Sequence, residues 1–444
     1  MKKAIGLLMI FLMLHHIASS QGNFRIEDDK SKFELPFQLV SDLVIIPLEL
    51  NGVKLSFLLD TGVDSTILFS LDKEDSIDVK DASIIYLRGI GEEEPIRALK
   101  STGNSIKIGN SFSNDLSIYI SFDNSMNLSS RLGIPVNGII GNDFFKDFVL
   151  DFNYLKKKLI VYNKDRYSSK KCNRCEVLPL TFSNNKPYIE AISKINGKEL
   201  TLNFLIDSGS GDAIWVFEEE SAGVSLPEVH FDDFLGYGMS GSVYGARSRV
   251  ESIKLGKFVL NDVTASFPDK TYIDGLKTYD TKNGSIGAKI LRRFQVIFDY
   301  SRKSVSLRPN RLYLEPFEYD MSGIVIAHDG QMIVKELDHS STNGINNLNT
   351  TEGAGSVIYE STTSVKFKLQ PLYKIVEVRP ESPAEKVGLQ KGDILLEINN
   401  KPAYRFSLSG LQKILSSKDG KRIKLKIERG LDKTTIDFRL KKIL

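Results

Sequence analysis

The chain contains an internal repeat, and this repeat limits the possible folds more than any other feature of the sequence. Two apolar runs each end in Asp, a small hydroxyl residue and Gly, with the aspartates at Asp60 and Asp207. An apolar element ending in Gly follows each at a matched distance: Gly141 lies 81 residues after the first Asp, and Gly287 lies 80 residues after the second. A repeat of this regularity predicts two copies of one fold, arranged as a pseudo-symmetric pair of lobes.

Each copy also begins with the signal for a β-hairpin. Asn51-Gly52 and Asn196-Gly197 separate alternating apolar runs, and Asn-Gly in that context favours a two-residue turn. A hairpin is therefore expected to deliver each aspartate to the end of a buried strand. Helical periodicity is scarce, apart from a short stretch near residues 142–146, so both copies are predicted to be mainly β.

The length of the chain, 444 residues with 41% apolar residues, predicts two or three domains with sizeable cores. The repeat assigns a first lobe to residues 21–165 and a second lobe to residues 177–312. Residues 166–176 have the composition of a linker. Residues 313–444 form a different unit, with a Ser-, Thr-, Asn- and Gly-rich surface insertion at about 330–370.

This third unit has an α+β pattern. Its predicted strands are at residues 375–378, 392–399, 423–428 and 435–440. Its predicted helices start after Ser382 and Ser407, because Ser is a favoured N-cap residue and an apolar face follows the second of them.

Charge gives little support for a nucleic-acid partner. The chain has 59 basic and 56 acidic residues, and no basic stripe stands out along it. Proteins that bind nucleic acids usually carry such a stripe or patch. We therefore expect no nucleic-acid function.

The N-terminus has the pattern of an export signal. Two lysines precede an apolar run at residues 4–14, and small residues at 18–20 provide a plausible cleavage site. Removal of residues 1–20 would lower the net charge from +3 to +1. The run is short for a membrane span, although an uncleaved anchor is the alternative. We expect an exported protein, periplasmic or secreted.

The chain has two cysteines, Cys172 and Cys175, both in the predicted linker. A Cys-x-x-Cys pair is compatible with half a zinc site, a redox pair or a local disulfide. No second pair completes a zinc site, and no thioredoxin-like pattern surrounds the motif. We predict a small disulfide or free thiols without a catalytic role, and we expect neither a metal nor a cofactor.

The two aspartates predict an acid–base pair. Two carboxylates held close together cannot both ionise freely, so the pair holds one proton. One member then accepts a proton from water while the other donates one to a substrate carbonyl. Gly62 and Gly209 allow the loops to approach, and the hydroxyls of Thr61 and Ser208 are expected to form hydrogen bonds across the interface. A single Asp-Thr-Gly is usually only a turn, but its repetition favours a catalytic role.

These motifs resemble those of a known family. Residues 60–68 resemble the active-site signature of retropepsin-like aspartic proteases. Asp207-Ser208-Gly209, followed by Ala213-Ile214-Trp215, resembles the second active-site loop of two-lobed aspartyl proteases. The elements at 138–141 and 284–287 match the apolar-Gly element that packs behind each catalytic loop. The resemblance covers about residues 40–310 and implies a pepsin-like pair of β-barrel lobes with Asp60 and Asp207 as the catalytic dyad.

The same resemblance implies residues that bind substrate. The glycine-rich stretches containing Gly89 and Ile90, and Gly238 and Met239, are flap candidates. Asp64 lies where retropepsins use an aspartate to contact the substrate backbone, and a solvated loop acid is the alternative reading.

The second loop departs from the family pattern by one extra residue before Asp212.

The implied activity is that of an aspartic endopeptidase acting on polypeptides. Such an enzyme needs no metal or cofactor. Its active site would be complete in one chain, so we expect a monomer. The alternative is an exported peptide-binding scaffold that has lost catalytic activity.

The third unit resembles a PDZ domain of the kind attached to bacterial exported proteases. The match is carried by residues 382–384, 388–389 and 392–394. PDZ domains bind extended peptides by adding a strand beside a helix. The resemblance implies a turn that binds a peptide C-terminus, containing Gly323 and Ile324, and a groove lined by Leu408 and Leu411. Core packing is the alternative role for these leucines.

Overall fold

A computed structural model describes residues 23–71, 76–87, 96–122, 127–169, 171–238, 241–277, 282–337 and 365–444. The described residues form four β-sheets connected by turns and short helices. Within these ranges, no helix has the length and apolar character needed to cross a membrane.

The first lobe is built mainly from strands. The strands are β1 (Arg25–Ile26), β2 (Lys32–Pro36), β3 (Gln38–Val40), β4 (Leu43–Leu50), β5 (Val53–Leu59), β6 (Thr66–Leu68), β7 (Ser83–Leu87), β8 (Ile96–Ile108), β9 (Ser111–Ser121), β10 (Gly138–Ile140), β11 (Phe148–Asn153) and β12 (Lys158–Asn163). Its α-helices are α1 (Leu128–Leu132) and α2 (Asn142–Phe145), and a 3-10 helix spans Glu27–Asp29.

The second lobe repeats this composition. Its strands are β13 (Glu176–Pro179), β14 (Thr181–Ser183), β15 (Lys186–Ile195), β16 (Lys198–Ile206), β17 (Ile214–Val216), β18 (His230–Gly238), β19 (Gly241–Leu255), β20 (Phe258–Pro268), β21 (Gly284–Ile286), β22 (Phe294–Asp299) and β23 (Ser304–Pro309). Its α-helices are α3 (Lys270–Lys277) and α4 (Ala288–Leu291), and a 3-10 helix spans Glu220–Ala222.

The Asn-Gly turns form hairpins, as predicted. Asn51 and Gly52, with φ angles of 48° and 87°, join β4 to β5. Asn196 and Gly197, with φ angles of 52° and 77°, join β15 to β16. Positive φ at both central residues is the geometry of a type I′ turn, whose twist matches that of the flanking strands.

Each hairpin is followed by the same crossing of strands. In the first lobe, β10 lies parallel to β5 and antiparallel to β6. In the second lobe, β21 lies parallel to β16 and antiparallel to β17. Gly138 and Gly284 begin the two crossing strands, and a Cβ at either position would collide with a backbone oxygen of the neighbouring strand. The predicted duplication of one β fold is confirmed.

A third sheet joins the two lobes. Its strand order is β13-β23-β22-β11-β12-β2, so each lobe contributes three strands. The lobes meet where β11 pairs antiparallel with β22, with Leu150 opposite Phe298. β11 is almost entirely buried because its apolar residues line both faces, and its buried carboxylate, Asp151, accepts hydrogen bonds from Gln295. One apolar core extends through both lobes, and the rings of Phe145, Phe152 and Phe298 are in contact within it.

The third unit has its own sheet and its own core. Its strands are β24 (Ile324–Leu337), β25 (Val365–Val378), β26 (Ile394–Ile398), β27 (Lys401–Pro402), β28 (Arg422–Arg429) and β29 (Asp432–Arg439). Its α-helices are α5 (Pro383–Lys386) and α6 (Leu408–Leu415), and a 3-10 helix spans Ala403–Arg405. Both α-helices begin at the predicted serine caps, where Ser382 and Ser407 accept hydrogen bonds from backbone N–H groups.

Two details refine the sequence predictions. Both described ends of the predicted insertion continue β24 and β25 as one antiparallel arm, in which Ile333 lies opposite Leu369. In the segment between β12 and β13, Cys172 and Cys175 are joined by a disulfide. Of the alternatives that the sequence left open for this pair, the structure has the local disulfide.

Candidate active site

The two aspartates stand at the ends of equivalent strands. β5 ends just before Asp60, and β16 ends just before Asp207. The N–H of Asp60 donates to the carbonyl oxygen of Ile140 at 2.9 Å, and the N–H of Asp207 donates to that of Ile286 at 2.9 Å. These bonds extend the parallel pairing by one residue, so the sheet fixes the backbone of both aspartates.

The two loops are joined by reciprocal hydrogen bonds. The N–H of Thr61 donates to Ser208 Oγ at 3.0 Å, and the N–H of Ser208 donates to Thr61 Oγ1 at 2.9 Å. The hydroxyl of Thr61 donates to the carbonyl of Ile206 at 2.6 Å, and that of Ser208 donates to the carbonyl of Leu59 at 2.9 Å. Both hydroxyl side chains are buried, so each loop supplies the partners that the other needs.

The glycines after the hydroxyl residues hold the carboxylates in place. The N–H of Gly62 donates to Asp60 Oδ1 at 2.7 Å, and the N–H of Gly209 donates to Asp207 Oδ1 at 3.0 Å. A Cβ at Gly62 would lie 3.0 Å from Asp207 Oδ1, and a Cβ at Gly209 would collide with the carboxylate of Asp60. Each glycine therefore lies against the opposite aspartate, which brings the two carboxyl groups together.

Burial changes the acidity of this pair. Burial, followed by repulsion from Asp207, raises the pKa of Asp60 to about 8. Burial also raises the pKa of Asp207, although the positive charges of Lys282 and Lys186 oppose the shift. Two carboxyl groups in one buried site favour a state in which they share a proton.

Neither of these two lysines belongs to a local motif that could be recognised as part of the site. Lys186 is the first residue of β15, and Lys282 is buried just before β21. Lys282 comes near the aspartates through the pairing of β21 with the distant β16, whereas the hairpin of β15 and β16 brings Lys186 there.

The structure locates the extra residue in the second loop. In the first lobe, Leu68 lies eight residues after Asp60 and pairs with the first residue of β10. In the second lobe, Val216 lies nine residues after Asp207 and pairs with the first residue of β21. The insertion is thus absorbed between the aspartate and β17, and the hydrogen bonds of Asp207 and Ser208 are retained.

Asp212, which follows the insertion, lies in a half-buried charged cluster. Its Oδ2 accepts hydrogen bonds from the indole N–H of Trp215 and the hydroxyl of Ser266, both at 2.8 Å. Its Oδ1 accepts from Arg247 Nη1 at 3.1 Å, and Arg247 Nε donates to Asp233 Oδ2 at 2.8 Å. Arg247 thus connects the second catalytic loop to β18.

Opposing effects set the charge of this cluster. Burial alone would raise the pKa of Asp212, but Arg247 and Lys289, together with the hydrogen bonds, hold it below its usual value. Asp212 is therefore ionised at neutral pH, and it anchors the loop as a charged partner of Arg247. Sequence reasoning gave Asp212 only a weak role and missed Arg247 and Asp233, because they lie on different strands with no local motif.

Comparison with known proteins agrees with this geometry. Residues 46–144 and 192–288 match the family model described as aspartyl protease, and residues 374–429 match the model described as PDZ domain. The two lobes are aspartyl protease domains. They are followed by a PDZ domain.

An aspartic proteinase from Irpex lacteus is among the solved structures that are similar to this chain. It has 11% sequence identity and a TM-score of 0.39, and the match covers 64% of this chain and 99% of that one. No curated protein matches this chain.

The structure describes only part of the predicted set of substrate-binding residues in the aspartyl protease lobes. Asp64 is exposed and accepts a hydrogen bond from Asn185 Nδ2 at 2.9 Å, from the second lobe. Gly238 ends β18, opposite Gly241 at the start of β19. The other flap candidates, Gly89, Ile90 and Met239, lie outside the described residues, and the flap assignment stays a prediction.

The PDZ residues lie at the turn and helix where the sequence predicted them. Gly323 has a φ of +86° and Ile324 starts β24. Leu408 and Leu411 lie on α6 but are buried in the core of the domain, with 2% and 0% of their surfaces exposed. In this structure they pack against the core, and their role in a peptide groove stays a prediction.

Proposed function

We propose that this protein is an aspartic endopeptidase that hydrolyses peptide bonds in polypeptides. The observation that carries the proposal is the pair of aspartates, Asp60 buried and Asp207 half-buried, held together by reciprocal bonds between Thr61 and Ser208. The raised pKa of Asp60, about 8, supports a shared proton at neutral pH.

The chemistry follows from one proton shared by two carboxyl groups. The ionised carboxylate accepts a proton from a water molecule as the water oxygen attacks the peptide carbonyl carbon. The protonated carboxyl group donates its proton to the carbonyl oxygen, which gives a neutral tetrahedral diol. Transfer of a proton to the amide nitrogen then allows the C–N bond to break, and the dyad returns to its starting state. No covalent bond to the protein forms.

We also propose that the protein is exported and that its PDZ domain recruits the substrate. The signal-like N-terminus supports export to the periplasm or the medium. The PDZ domain supports recruitment of a polypeptide substrate, because domains of this kind bind extended chains.

A peptide-binding scaffold without catalysis is the second candidate. The extra residue in the second loop favours it, because an insertion beside a catalytic residue disturbs many active sites. The retained hydrogen bonds of Asp207 and Ser208 favour cleavage instead.

Cleavage of an unstructured protein such as casein tests the proposal directly. The chain from residue 21 onward would be assayed from pH 3 to 9, beside Asp60→Asn, Asp207→Asn and the exposed control Asp115→Asn. We expect the parent and the control to cleave equally and the two dyad variants to lose about 10²–10⁴-fold in rate. The parental rate should fall above about pH 8, where Asp60 loses its proton. Equal rates in all four proteins, or none in a folded parent, would reject the proposal.

A further inference from the structure

The peptide-binding side of the PDZ domain faces the protease lobes. PDZ domains take a peptide between an edge strand and a helix, and here these elements are β24, at the edge of its sheet, and α6. Both elements touch residues of the first lobe rather than facing only solvent.

The helix α1 of the first lobe lies against β24. Ala327 of β24 is buried although it is not part of the PDZ core. At the end of α1, a Cβ at Gly133 would lie 3.5 Å from the Cβ of Leu408, the first residue of α6. Further along α6, Gln412 Oε1 accepts a hydrogen bond from the hydroxyl of Ser41 at 3.3 Å. The first lobe therefore contacts both sides of the groove.

The turn at the other end of the groove is also occupied from within the chain. The N–H groups of Ser322 and Gly323 donate to Asp320 Oδ1 at 3.0 and 2.6 Å. The N–H of Ile324 donates to Ser322 Oγ at 3.2 Å. These amides belong to the turn, containing Gly323 and Ile324, that the sequence resemblance assigned to a peptide C-terminus. Because all three have partners, the groove is better suited to an internal extended segment than to a free carboxylate.

The same helix α1 also contacts a hairpin of the second lobe. The guanidinium of Arg131 lies 3.2 Å from the ring centroid of Tyr237, next to the end of β18. The hairpin of β18 and β19 in turn touches the PDZ domain, where Arg379 lies 4.1 Å from the ring centroid of Phe231. The helix α1 is thus a common contact of the PDZ groove and this hairpin.

We propose that α1 is an internal ligand of the PDZ groove, and that an extended polypeptide segment opens the protease by displacing it. Displacement removes α1 from β24 and α6 and, through Arg131, releases the hairpin that carries Tyr237. The groove then acts as the sensor of substrate, and the closed arrangement is the resting state. This inference rests on the proposed endopeptidase function.

A disulfide across the contact between α1 and α6 tests the proposal. The variant Gly133→Cys with Leu408→Cys places its Cβ atoms within the range that a disulfide needs. We expect the oxidised form to cleave casein at least tenfold more slowly than the same protein after reduction. The parent, which also contains Cys172 and Cys175, should be unaffected by the reductant. Equal rates in the oxidised and reduced forms would overturn the proposal.

Two further variants serve as controls for this test. Because Gly133 has a φ of +69°, which strains any other residue, Ser41→Cys with Gln412→Cys, joined by a bis-maleimide cross-linker, locks the same interface at a more exposed place in case the first pair does not fold. Arg131→Ala, which removes the contact with Tyr237 and so releases the hairpin without displacing α1, should raise cleavage by the oxidised, locked protein by about two- to thirtyfold. An unchanged rate in the locked form would contradict the role of Arg131 as the link between α1 and the hairpin.

A binding assay separates this inference from the proposed function. In an Asp207→Asn background, fluorescein-labelled unfolded casein would be titrated with the locked and the reduced protein, and anisotropy would be measured. Tighter binding by the reduced form supports an occluded groove even if no form of the protein cleaves. Equal binding by both forms rejects the inference whether or not the parent is a protease.

Discussion

In the first lobe, the loop after Asp60 is fixed by Asp143 of α2, whose Oδ2 accepts two hydrogen bonds of 2.9 Å from the N–H and hydroxyl of Thr66. In the second lobe, α4 places Lys289 at the corresponding position, two residues after its glycine. There Asp212 and Arg247 fix the loop instead. The dyad and its hydroxyl partners are equivalent in the two loops. The residue two positions after the glycine, however, is acidic in the first lobe and basic in the second.

The difference shows which parts of the site the chemistry requires. The bonds between Thr61 and Ser208 must match, because each loop completes the other. The outer support must only keep each loop rigid, so the hydrogen bonds from Thr66 to Asp143 suffice in one lobe and an ion cluster in the other. The ion cluster reaches β18 through Asp233, so the second loop is the one connected to the PDZ side of the molecule.

The largest expected effect comes from the two glycines that face the dyad. Gly209→Ala should abolish cleavage, by about 10³-fold or more, because its Cβ collides with the carboxylate of Asp60. Gly62→Ala, whose Cβ lies 3.0 Å from Asp207, should lose less activity. Initial rates on casein, with circular dichroism as the folding control, measure both variants. Equal losses would show that the two loops are more alike than their clearances indicate.

The outer supports should differ in stability. Arg247→Met leaves the half-buried carboxylate of Asp212 without its main cationic partner and should lower the free energy of unfolding by about 3 kcal/mol. Asp143→Asn keeps one acceptor for Thr66 and should cost about 1–2 kcal/mol. Urea denaturation at pH 7 gives both values. A larger loss for Asp143→Asn would reverse the comparison between the lobes.

A smaller effect is expected at Asp64, which is exposed, whereas its counterpart in the second lobe, Asp212, is bound to Arg247. If Asp64 contacts the substrate backbone, Asp64→Asn should raise KM by about tenfold, because one charge-assisted hydrogen bond contributes roughly 1.5 kcal/mol. The melting temperature should hardly change, since the side chain is exposed. An unchanged KM would identify Asp64 as a solvated loop acid.

The smallest effect concerns the pH dependence of stability. Because burial raises the pKa of Asp60 from 3.8 to about 8, the folded protein binds more protons than the unfolded protein between these values and loses stability as the pH rises through them. Asp60→Asn does not titrate, so its melting temperature should exceed that of the parent by about 2–4 °C at pH 9, with the difference shrinking towards pH 4. Scanning calorimetry across this range measures the trend, and a constant difference would contradict the raised pKa.

Local patterns predicted the elements that carry the dyad. The Asn-Gly turns, the Asp-Thr-Gly and Asp-Ser-Gly motifs and the serine caps each act within a few residues, so they can be recognised without the fold. The charged cluster could not be predicted, because Arg247 and Asp233 are ordinary polar residues on alternating strands. The contact of α1 with β24 could not be predicted either, since it depends on how two domains dock.

Because the two lobes share a sheet, the covalent connection between them contributes little to holding them together. β12, the last strand before the linker, pairs with β2 and β11, and β13, the first strand after it, pairs with β23. The lobes are held by the pairing of β11 with β22 and by Gln295, which donates to both carboxylate oxygens of Asp151 at 2.8 and 2.9 Å. The part of the linker that the structure describes before β13, residues 166–169 and 171–175, contributes no strand to this junction. The protein is therefore equivalent to two half-molecules assembled side by side, and a chain cut in the linker would remain a single particle with its dyad intact.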